Sequence, residues 1–169
     1  MGKNIDLRKV KVGDEKVLAY IQTESWKAAF GEILSREEIE KFSDVKKAEE
    51  MYSMLLKEDI GNGYILSVGG KPHCIAYWND AREENMKGYA ELICIHSLAE
   101  NWGVGYGSIM MEYILEEVRR AGFKDLILWV FEENSRARKF YEKYGFVLTE
   151  KSKMFSNAKE VMYYKSLVK

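Results

Sequence analysis

Three glycines at alternate positions, Gly103, Gly105 and Gly107, separate an apolar segment from a helix-like pattern. The stretch from Ala90 to Met111 reads A-E-L-I-C-I-H-S-L-A-E-N-W-G-V-G-Y-G-S-I-M-M, which suits a buried strand followed by the apolar face of a helix. A strand that turns through glycines into a helix leaves backbone N–H groups without partners at the positive end of the helix dipole. The turn is therefore predicted to bind a phosphate group.

The spacing of these glycines excludes two common nucleotide-binding motifs. The dinucleotide fingerprint of a Rossmann fold requires G-x-G-x-x-G, whereas this chain has G-x-G-x-G followed by Ser108. A P-loop ends in Gly-Lys-Ser/Thr, and no lysine lies between Lys87 and Lys124. The phosphate must belong to another chemistry.

The elements that position this turn form a single α/β pattern. The chain has 169 residues with no repeat, linker or low-complexity segment, which predicts one domain. Strands are predicted at residues 5–10, 64–68, 73–78, after 90, and at 125–131, 146–150 and 161–167. Helices are predicted near 14–31, 44–57, 105–121 and 134–144. A further short helix is predicted to start at Ser35, which forms a capping-box pattern with Glu38, and Asp44 is the predicted N-cap of the next helix.

Composition and charge limit the partners. The net charge of −1 gives no global field for nucleic acid or an anionic membrane, and no run approaches the ~20 apolar residues of a membrane span. The polar N-terminus favours a cytoplasmic location. Cys74 and Cys94 are expected to be free thiols rather than a disulfide, and with His73 and His96 they give neither the number nor the spacing of a metal site.

Two segments carry a family resemblance. W-G-V-G-Y-G-S-I-M-M, from Trp102 to Met111, resembles the pyrophosphate-binding loop of the GCN5-related N-acetyltransferase (GNAT) superfamily, whose core is Gln/Arg-x-x-Gly-x-Gly/Ala. Gly105 and Gly107 match its glycines, whereas Trp102 replaces the Gln or Arg. N-S-R-A-R-K-F-Y-E-K-Y-G-F, residues 134–146, matches the family's Asn-x-x-Ala-x-x-Phe-Tyr-x-x-x-Gly-Phe signature at each named position. Residues 25–34 resemble the substrate-side helix and turn of many members.

The resemblance implies a single α/β (α+β) domain over residues 1–169, with a mixed, mostly antiparallel sheet of six to seven strands flanked by helices. Two central strands would splay apart to admit acetyl-CoA. The acceptor side would lie in about residues 1–88, the acetyl-CoA-binding core in about 89–146, and the closing strands in about 146–167.

The implied activity is acetyl transfer from acetyl-CoA to a primary amine, by direct attack in a ternary complex. The acceptor stays open between a small amine, such as a polyamine, amino sugar or amino acid, and a protein N-terminus or lysine. A non-catalytic acyl-CoA-binding sensor or interaction module is the alternative of another class. Neither nucleic acid nor membrane is an expected partner, and a homodimer stays open.

The resemblance also implies residue roles. Glu91 is the predicted general base, acting directly or through an ordered water, with an ion-paired strand-end glutamate as the alternative. Tyr141 is the predicted general acid at the thioester sulfur, with a packed helix tyrosine as the alternative. Asn134 caps its helix by its own chemistry and by resemblance contacts the pantetheine arm. Pyrophosphate would bind the segment Gly103, Val104, Gly105, Tyr106, Gly107 and Ser108.

Pantetheine would pair with backbone groups of Ile95, His96 and Ser97, as an added strand does. Period-two alternation puts the His96 side chain on the face opposite Glu91, which predicts a structural histidine. Arg136, Arg138 and Lys139 are candidates for the 3′-phosphate of the cofactor, although a solvated helix face is favoured for at least two of them.

The acceptor is expected to contact residues 25–60 and the loop at 80–88. This region includes two aromatic and four acidic candidates, Trp26, Phe30, Glu32, Asp80, Glu83 and Glu84. Acidic groups there would suit a cationic acceptor.

Overall fold

A computed structural model describes residues 3–169 and shows seven strands and five α-helices over that range. In chain order they are β1 (Ile5–Lys9), α1 (Glu15–Phe30), α2 (Arg36–Phe42), α3 (Val45–Lys57), β2 (Asn62–Val68), β3 (Lys71–Asp80), β4 (Ala90–Ser97), α4 (Tyr106–Arg120), β5 (Asp125–Phe131), α5 (Ser135–Lys143), β6 (Val147–Phe155) and β7 (Ala158–Ser166). None of the helices in this range is long and apolar enough to cross a membrane.

All seven strands form one sheet in the order β1-β2-β3-β4-β5-β7-β6. Every neighbouring pair is antiparallel except β4 and β5, which run parallel. The predicted mixed, mostly antiparallel sheet flanked by helices is therefore confirmed. The parallel pair at its centre is joined by α4, as a parallel connection requires a crossover.

Helices cover both faces of the sheet because each strand buries apolar side chains on alternate positions. On one face, Leu92 and Leu128 pack with Met110 and Ile114 of α4. On the other, α1 and α3 cover a second cluster, made of Leu18, Ala19, Ile21, Ala48, Tyr52, Ile65, Ile75 and Tyr77. Burying each large aliphatic side chain contributes about 1.5–3 kcal/mol.

The helix starts follow local chemistry. The Ser35 hydroxyl accepts from the Glu38 N–H at 3.1 Å, and the Glu38 carboxylate accepts from the Ser35 N–H at 2.8 Å, so the predicted capping box is present. The Asp44 carboxylate accepts from the N–H groups of Lys46 and Lys47 at the start of α3. Both caps are thus confirmed.

The two central parallel strands separate soon after they meet. β4 and β5 pair only from Ala90 with Leu126 to Leu92 with Leu128. Beyond that point neither Ile93–Ser97 of β4 nor Trp129–Phe131 of β5 has a partner in the other strand. This confirms the predicted splay.

The alternation predicted for β4 is wrong beyond Leu92. Cys94 pairs with Tyr77 and Leu92 with Trp78, so Ile93 is an extra residue, a β-bulge. The bulge shifts the period-two pattern, and His96, opposite Ile75, lies on the same face as Glu91 rather than the opposite face. The bulge therefore exchanges the faces that the side chains of β4 occupy in the part of the strand that separates from β5.

Candidate active site

A cavity of about 480 Å³ lies where β4 and β5 separate. Its volume is in the range of about 300–1,000 Å³ that is usual for small-molecule sites. Most of the wall comes from two strands and three helices around the splay: β4 (Ile93, Cys94, Ile95, His96, Ser97), β5 (Trp129, Val130, Phe131), α5 with its cap (Asn134, Arg136, Ala137, Tyr141), α1 (Gln22, Ser25, Trp26, Ala29, Phe30) and α3 (Met51, Tyr52, Leu55). Residues of β3 (Tyr77, Trp78, Asn79), β6 (Phe155) and β7 (Glu160) also contribute. Residues that are distant in sequence therefore meet around one space.

Tyr141 is on the α5 side of this cavity. Its residue surface is 9% exposed, and its ring packs edge-on against Phe140 and Phe146, with centroids 5.7 and 5.9 Å away. Burial raises the pKa of the Tyr141 hydroxyl above its usual range, Cys94 adds to the shift, and Arg136 opposes it. At neutral pH the hydroxyl is therefore protonated and can donate a hydrogen bond into the cavity.

Asn134 starts the helix that carries this tyrosine. Its side-chain oxygen accepts from the Ala137 N–H at 3.2 Å, which confirms the predicted cap. Asn134 also lines the cavity. The cap thus fixes the direction of α5 at the border of the cavity.

Glu91 lies behind the cavity wall rather than on it. Its side chain is 1% exposed, and its carboxylate accepts from the Arg82 backbone N–H at 3.1 Å and from the Arg82 Nε at 3.2 and 3.3 Å. Arg82 lines the cavity, whereas Glu91 does not. This is the geometry of the ion-paired alternative, and a role for Glu91 as a base stays a prediction.

Glu160 faces the cavity from β7, where it pairs with Phe131 of β5 and Lys153 of β6. It is half-buried and is the one carboxylate among the described residues that line the cavity. Burial raises the pKa of Glu160, and nearby Glu91 adds to this, against the opposing effects of Lys153 and Arg82.

Sequence reasoning missed Glu160, because the closing strand was predicted to begin at Val161, whereas β7 begins at Ala158. Extending the strand by one residue would have placed Glu160 on the same face as Met162. By contrast, none of the four acidic candidates on the acceptor side lines the cavity: Glu32, Asp80, Glu83 and Glu84.

Aromatic rings form much of the remaining wall. The ring centroids of Trp26 and Phe30 are 4.9 Å apart, those of Phe30 and Phe131 are 5.0 Å apart, and those of Phe131 and Phe155 are 5.7 Å apart. Trp129 completes what we call the aromatic wall: Trp26, Phe30, Trp129, Phe131 and Phe155. These rings come from α1, β5 and β6, so the wall exists only in the folded chain.

The glycine turn leads into α4 next to this cavity. Gly103 and Gly105 adopt positive φ values of 82° and 94°, which favour glycine, and Gly105 is the N-cap of α4. The first intrahelical hydrogen bond runs from the Ile109 N–H to the Gly105 carbonyl, so the N–H groups of Tyr106, Gly107 and Ser108 have no intrahelical partner. Gly103–Ser108 do not line the cavity itself, which Trp102 reaches.

Trp102, the residue that departs from the family pattern, fastens the turn to β4. Its indole N–H donates to the Ser97 carbonyl at 2.9 Å, and the Arg136 guanidinium lies 3.5 Å over its ring. The Ser25 hydroxyl donates to the same carbonyl at 2.9 Å. Two donors therefore occupy the oxygen at the end of β4, and the pantetheine pairing predicted at Ser97 cannot use that oxygen without displacing one of them.

The other predicted side chains divide between site and scaffold. Arg138 donates to the Tyr163 hydroxyl and to the Glu132 carbonyl, which fixes it on the core. His96 lines the cavity, and burial lowers its pKa to about 4, so the imidazole is neutral at neutral pH. Within residues 3–169 no three His, Cys, Asp or Glu side chains cluster as a metal site would require.

Comparison with known proteins assigns this arrangement to a family. The model described as "Acetyltransferase (GNAT) family" matches residues 19–146. The uncharacterized N-acetyltransferase YuaI of Bacillus subtilis (strain 168) is 25% identical over 147 residues, which cover 83% of this chain and 79% of that protein.

Solved structures share the fold. PaiA N-acetyltransferase from Thermoplasma acidophilum, in complex with coenzyme A, has a TM-score of 0.81 at 19% identity, over 96% of this chain and 99% of that one. YncA of Salmonella typhimurium, solved with its cofactor acetyl-CoA, has a TM-score of 0.71 at 13% identity, over 97% of this chain and 94% of that one. At these identities the likeness concerns the fold.

Proposed function

The chain belongs to the acetyltransferase (GNAT) family, and from that premise we propose that it transfers an acetyl group from acetyl-CoA to a primary amine within a ternary complex. The observation that carries the proposal is the cavity between the separated ends of β4 and β5, with the Tyr141 phenol on one wall. The coenzyme A and acetyl-CoA complexes of similar folds support the choice of cosubstrate.

In this proposal the cofactor spans the splay and the glycine turn. The pyrophosphate binds the unpaired N–H groups of Tyr106, Gly107 and Ser108, where the dipole of α4 favours an anion. The pantetheine arm lies along the free edge of β4 from Ile95 and contacts Asn134, and its thioester reaches Tyr141. Gly103, Val104 and Gly105 let the backbone approach the phosphates.

The reaction needs three events in this space. An amine with a pKa near 10.4 is mostly ammonium at pH 7, and removing its proton costs roughly 4 kcal/mol. The free amine then attacks the thioester carbonyl carbon, and the tetrahedral oxyanion collapses with cleavage of the C–S bond. Tyr141 donates its hydrogen bond to the departing sulfur, coenzyme A leaves as the thiol, and one proton per turnover is released to solvent.

Glu91 is the base in this proposal, as the sequence predicts. Its carboxylate is held by Arg82 and has no surface in the cavity, so an ordered water must carry the proton between them. The parallel pairing of Glu91 with Ile127 puts it one residue before the splay begins. Because Glu91 lies close to the start of the cavity, this position supports a short proton relay through water.

The proposal is tested by following thiol release from acetyl-CoA with a panel of primary amines. Tyr141→Phe is expected to lower kcat by about 10²- to 10⁴-fold with little change in acetyl-CoA affinity, because general acid catalysis contributes about this much. Tyr144→Phe is the matched control, since it removes a phenol from the end of the same helix but outside the cavity. Tight acetyl-CoA binding without turnover on any amine would favour the non-catalytic module instead.

A further inference from the structure

We propose that the acceptor end of the cavity takes a primary amine carried on an apolar or aromatic body, and that Glu160 binds its ammonium group. The inference rests on the proposed acetyl transfer and concerns the second substrate. It depends on which groups border the cavity, because the acceptor must fit between them.

The first step is the apolar character of the acceptor side. Trp26 and Phe30 of α1 pack against Phe131 and Phe155 on one side of the cavity, with ring centroids 4.9–5.8 Å apart. Apolar walls of this kind with a few placed polar groups are typical of sites for small organic molecules. A hydroxylated acceptor such as an amino sugar would lose hydrogen bonds to water against these rings, and the Tyr77 hydroxyl and the Trp129 N–H are the buried, unpartnered polar atoms of the lining that could replace some of them.

The second step is the charge that the cavity presents. Glu160 is the one carboxylate bordering it within residues 3–169, and the acidic loop beyond β3 lies outside. Its cationic neighbours have other partners: Arg82 pairs with Glu91, and Lys153 pairs with Glu83 at 3.4 Å and lies 4.2 Å over the Trp129 ring.

The Glu160 carboxylate therefore has a site for one further cation. Burial and the nearby charge of Glu91 raise the pKa of Glu160, so its ionised form gains from a positive partner. A primary ammonium satisfies this need with a charge-assisted hydrogen bond. Arg82 and Lys153, which oppose the shift, are the other charges that face Glu160.

The third step separates monoamines from polyamines. A single carboxylate neutralises one ammonium group, and a second ammonium of a polyamine would have to lie against the aromatic wall without an anion. Trp129, one of the two tryptophans in that wall, already has Lys153 over it. A monoamine with an apolar body fits both the charge and the wall.

The test compares amines and variants in the same thiol-release assay. 2-Phenylethylamine and hexylamine are expected to give kcat/KM values at least about 10-fold above those of spermidine, glucosamine and a lysine-containing peptide, because each buries apolar area and one charge. The reverse order, with spermidine or the peptide preferred, would overturn the acceptor class.

Glu160→Gln is expected to raise the KM of the preferred amine by at least about 10-fold, to change kcat less than KM, and to leave acetyl-CoA affinity within about twofold. For the unchanged enzyme the amine KM should also rise at acidic pH as Glu160 is protonated, and this dependence should disappear in Glu160→Gln. Glu83→Gln is the matched control, because it removes a carboxylate next to Lys153 that lies outside the cavity.

An amine KM that is unchanged in Glu160→Gln would overturn the role of Glu160. If Glu160→Gln does not fold, Glu160→Asp is measured instead: it keeps the charge and the pH dependence but withdraws the carboxylate by one methylene, so the amine KM should still rise. Absence of thiol release from the unsubstituted protein with every amine would instead contradict the proposed acetyl transfer.

Discussion

The Glu91–Arg82 pair joins a buried carboxylate to a guanidinium whose side chain is 62% exposed. Four hydrogen bonds from one arginine, three from its guanidinium and one from its backbone N–H, hold the carboxylate in a single orientation. Charge-assisted bonds of this kind are about twice as strong as neutral ones. This residue pair decides how directly Glu91 can exchange a proton with the cavity.

Glu91→Gln tests the proposed base at this scale. If the base acts through an ordered water, the variant should lose the acidic limb of the kcat/KM profile, lower kcat by about 10²- to 10⁴-fold and keep its acetyl-CoA affinity. The measurement is kcat/KM against pH with a fixed amine, and Glu116→Gln on the exposed face of α4 is the control. A limb that persists in Glu91→Gln but disappears in Glu160→Gln would move the base to Glu160.

Sequence and structure agree best on residues whose role is written in a short motif. Asn134 as a helix cap, and the capping box of Ser35 and Glu38, depend on neighbours within four positions, so spacing alone reveals them. The position of Glu160 beside the cavity depends on its pairing with Phe131 and Lys153, which lie on two other strands. No local pattern carries that information.

At the scale of the strands and helices, the close approach of β2 and β3 requires a glycine at one position. Gly63 of β2 pairs with Tyr77 of β3, and the Tyr77 ring lies across the glycine, so that an added Cβ would be 2.4 Å from its Cζ. Tyr77 also lines the cavity. The absence of a side chain at Gly63 therefore allows the Tyr77 ring to take its place in the cavity wall.

Gly63→Ala is expected to destabilise the protein by about 1–3 kcal/mol, because the ring must move out of a packed position. Chemical denaturation followed by far-UV circular dichroism measures the change. Gly31→Ala is the control: Gly31 has helical φ and ψ, and the nearest atom to an added Cβ is 3.5 Å away, so its stability should be unchanged or slightly higher. Equal effects of the two substitutions would contradict the packing argument.

The bulge at Ile93 marks the limit of prediction for single strands. The apolar run of β4 was predicted from its composition, but the extra residue is visible only against the register of β3. Because a one-residue shift exchanges the two faces, the predicted orientation of His96 failed while the strand itself was confirmed.

At the scale of the whole molecule, the order of the sheet places the parallel pair β4 and β5 in its interior, with β1 and β6 at its edges. The mixed sheet and its splay were anticipated only as implications of the family resemblance. The aromatic wall was anticipated only in part: Trp26 and Phe30 were candidates, whereas Phe131 and Phe155 join them through the packing of β5 and β6 on α1.

The two hydrogen bonds at the Ser97 carbonyl are expected to couple binding at the two proposed substrate sites. Ser25 belongs to α1, which is proposed to border the acceptor, and Trp102 belongs to the turn proposed to hold the pyrophosphate. The Ser97 oxygen therefore holds both α1 and the turn through hydrogen bonds. Thermodynamic reciprocity then requires that the factor by which coenzyme A changes amine affinity equals the factor by which the amine changes coenzyme A affinity.

Coenzyme A carries no acetyl group, so binding of both ligands can be measured by calorimetry without turnover. The factor by which coenzyme A changes amine affinity should differ from one. Ser25→Ala should bring that factor closer to one, whereas Ser53→Ala on α3, which does not line the cavity, should leave it unchanged. A factor of one in the unsubstituted protein would show that the two sites bind independently, and an identical factor in all three proteins would show that Ser25 does not couple them. In steady-state kinetics we expect the coupling through the Ser97 carbonyl to appear as a preferred order of substrate addition.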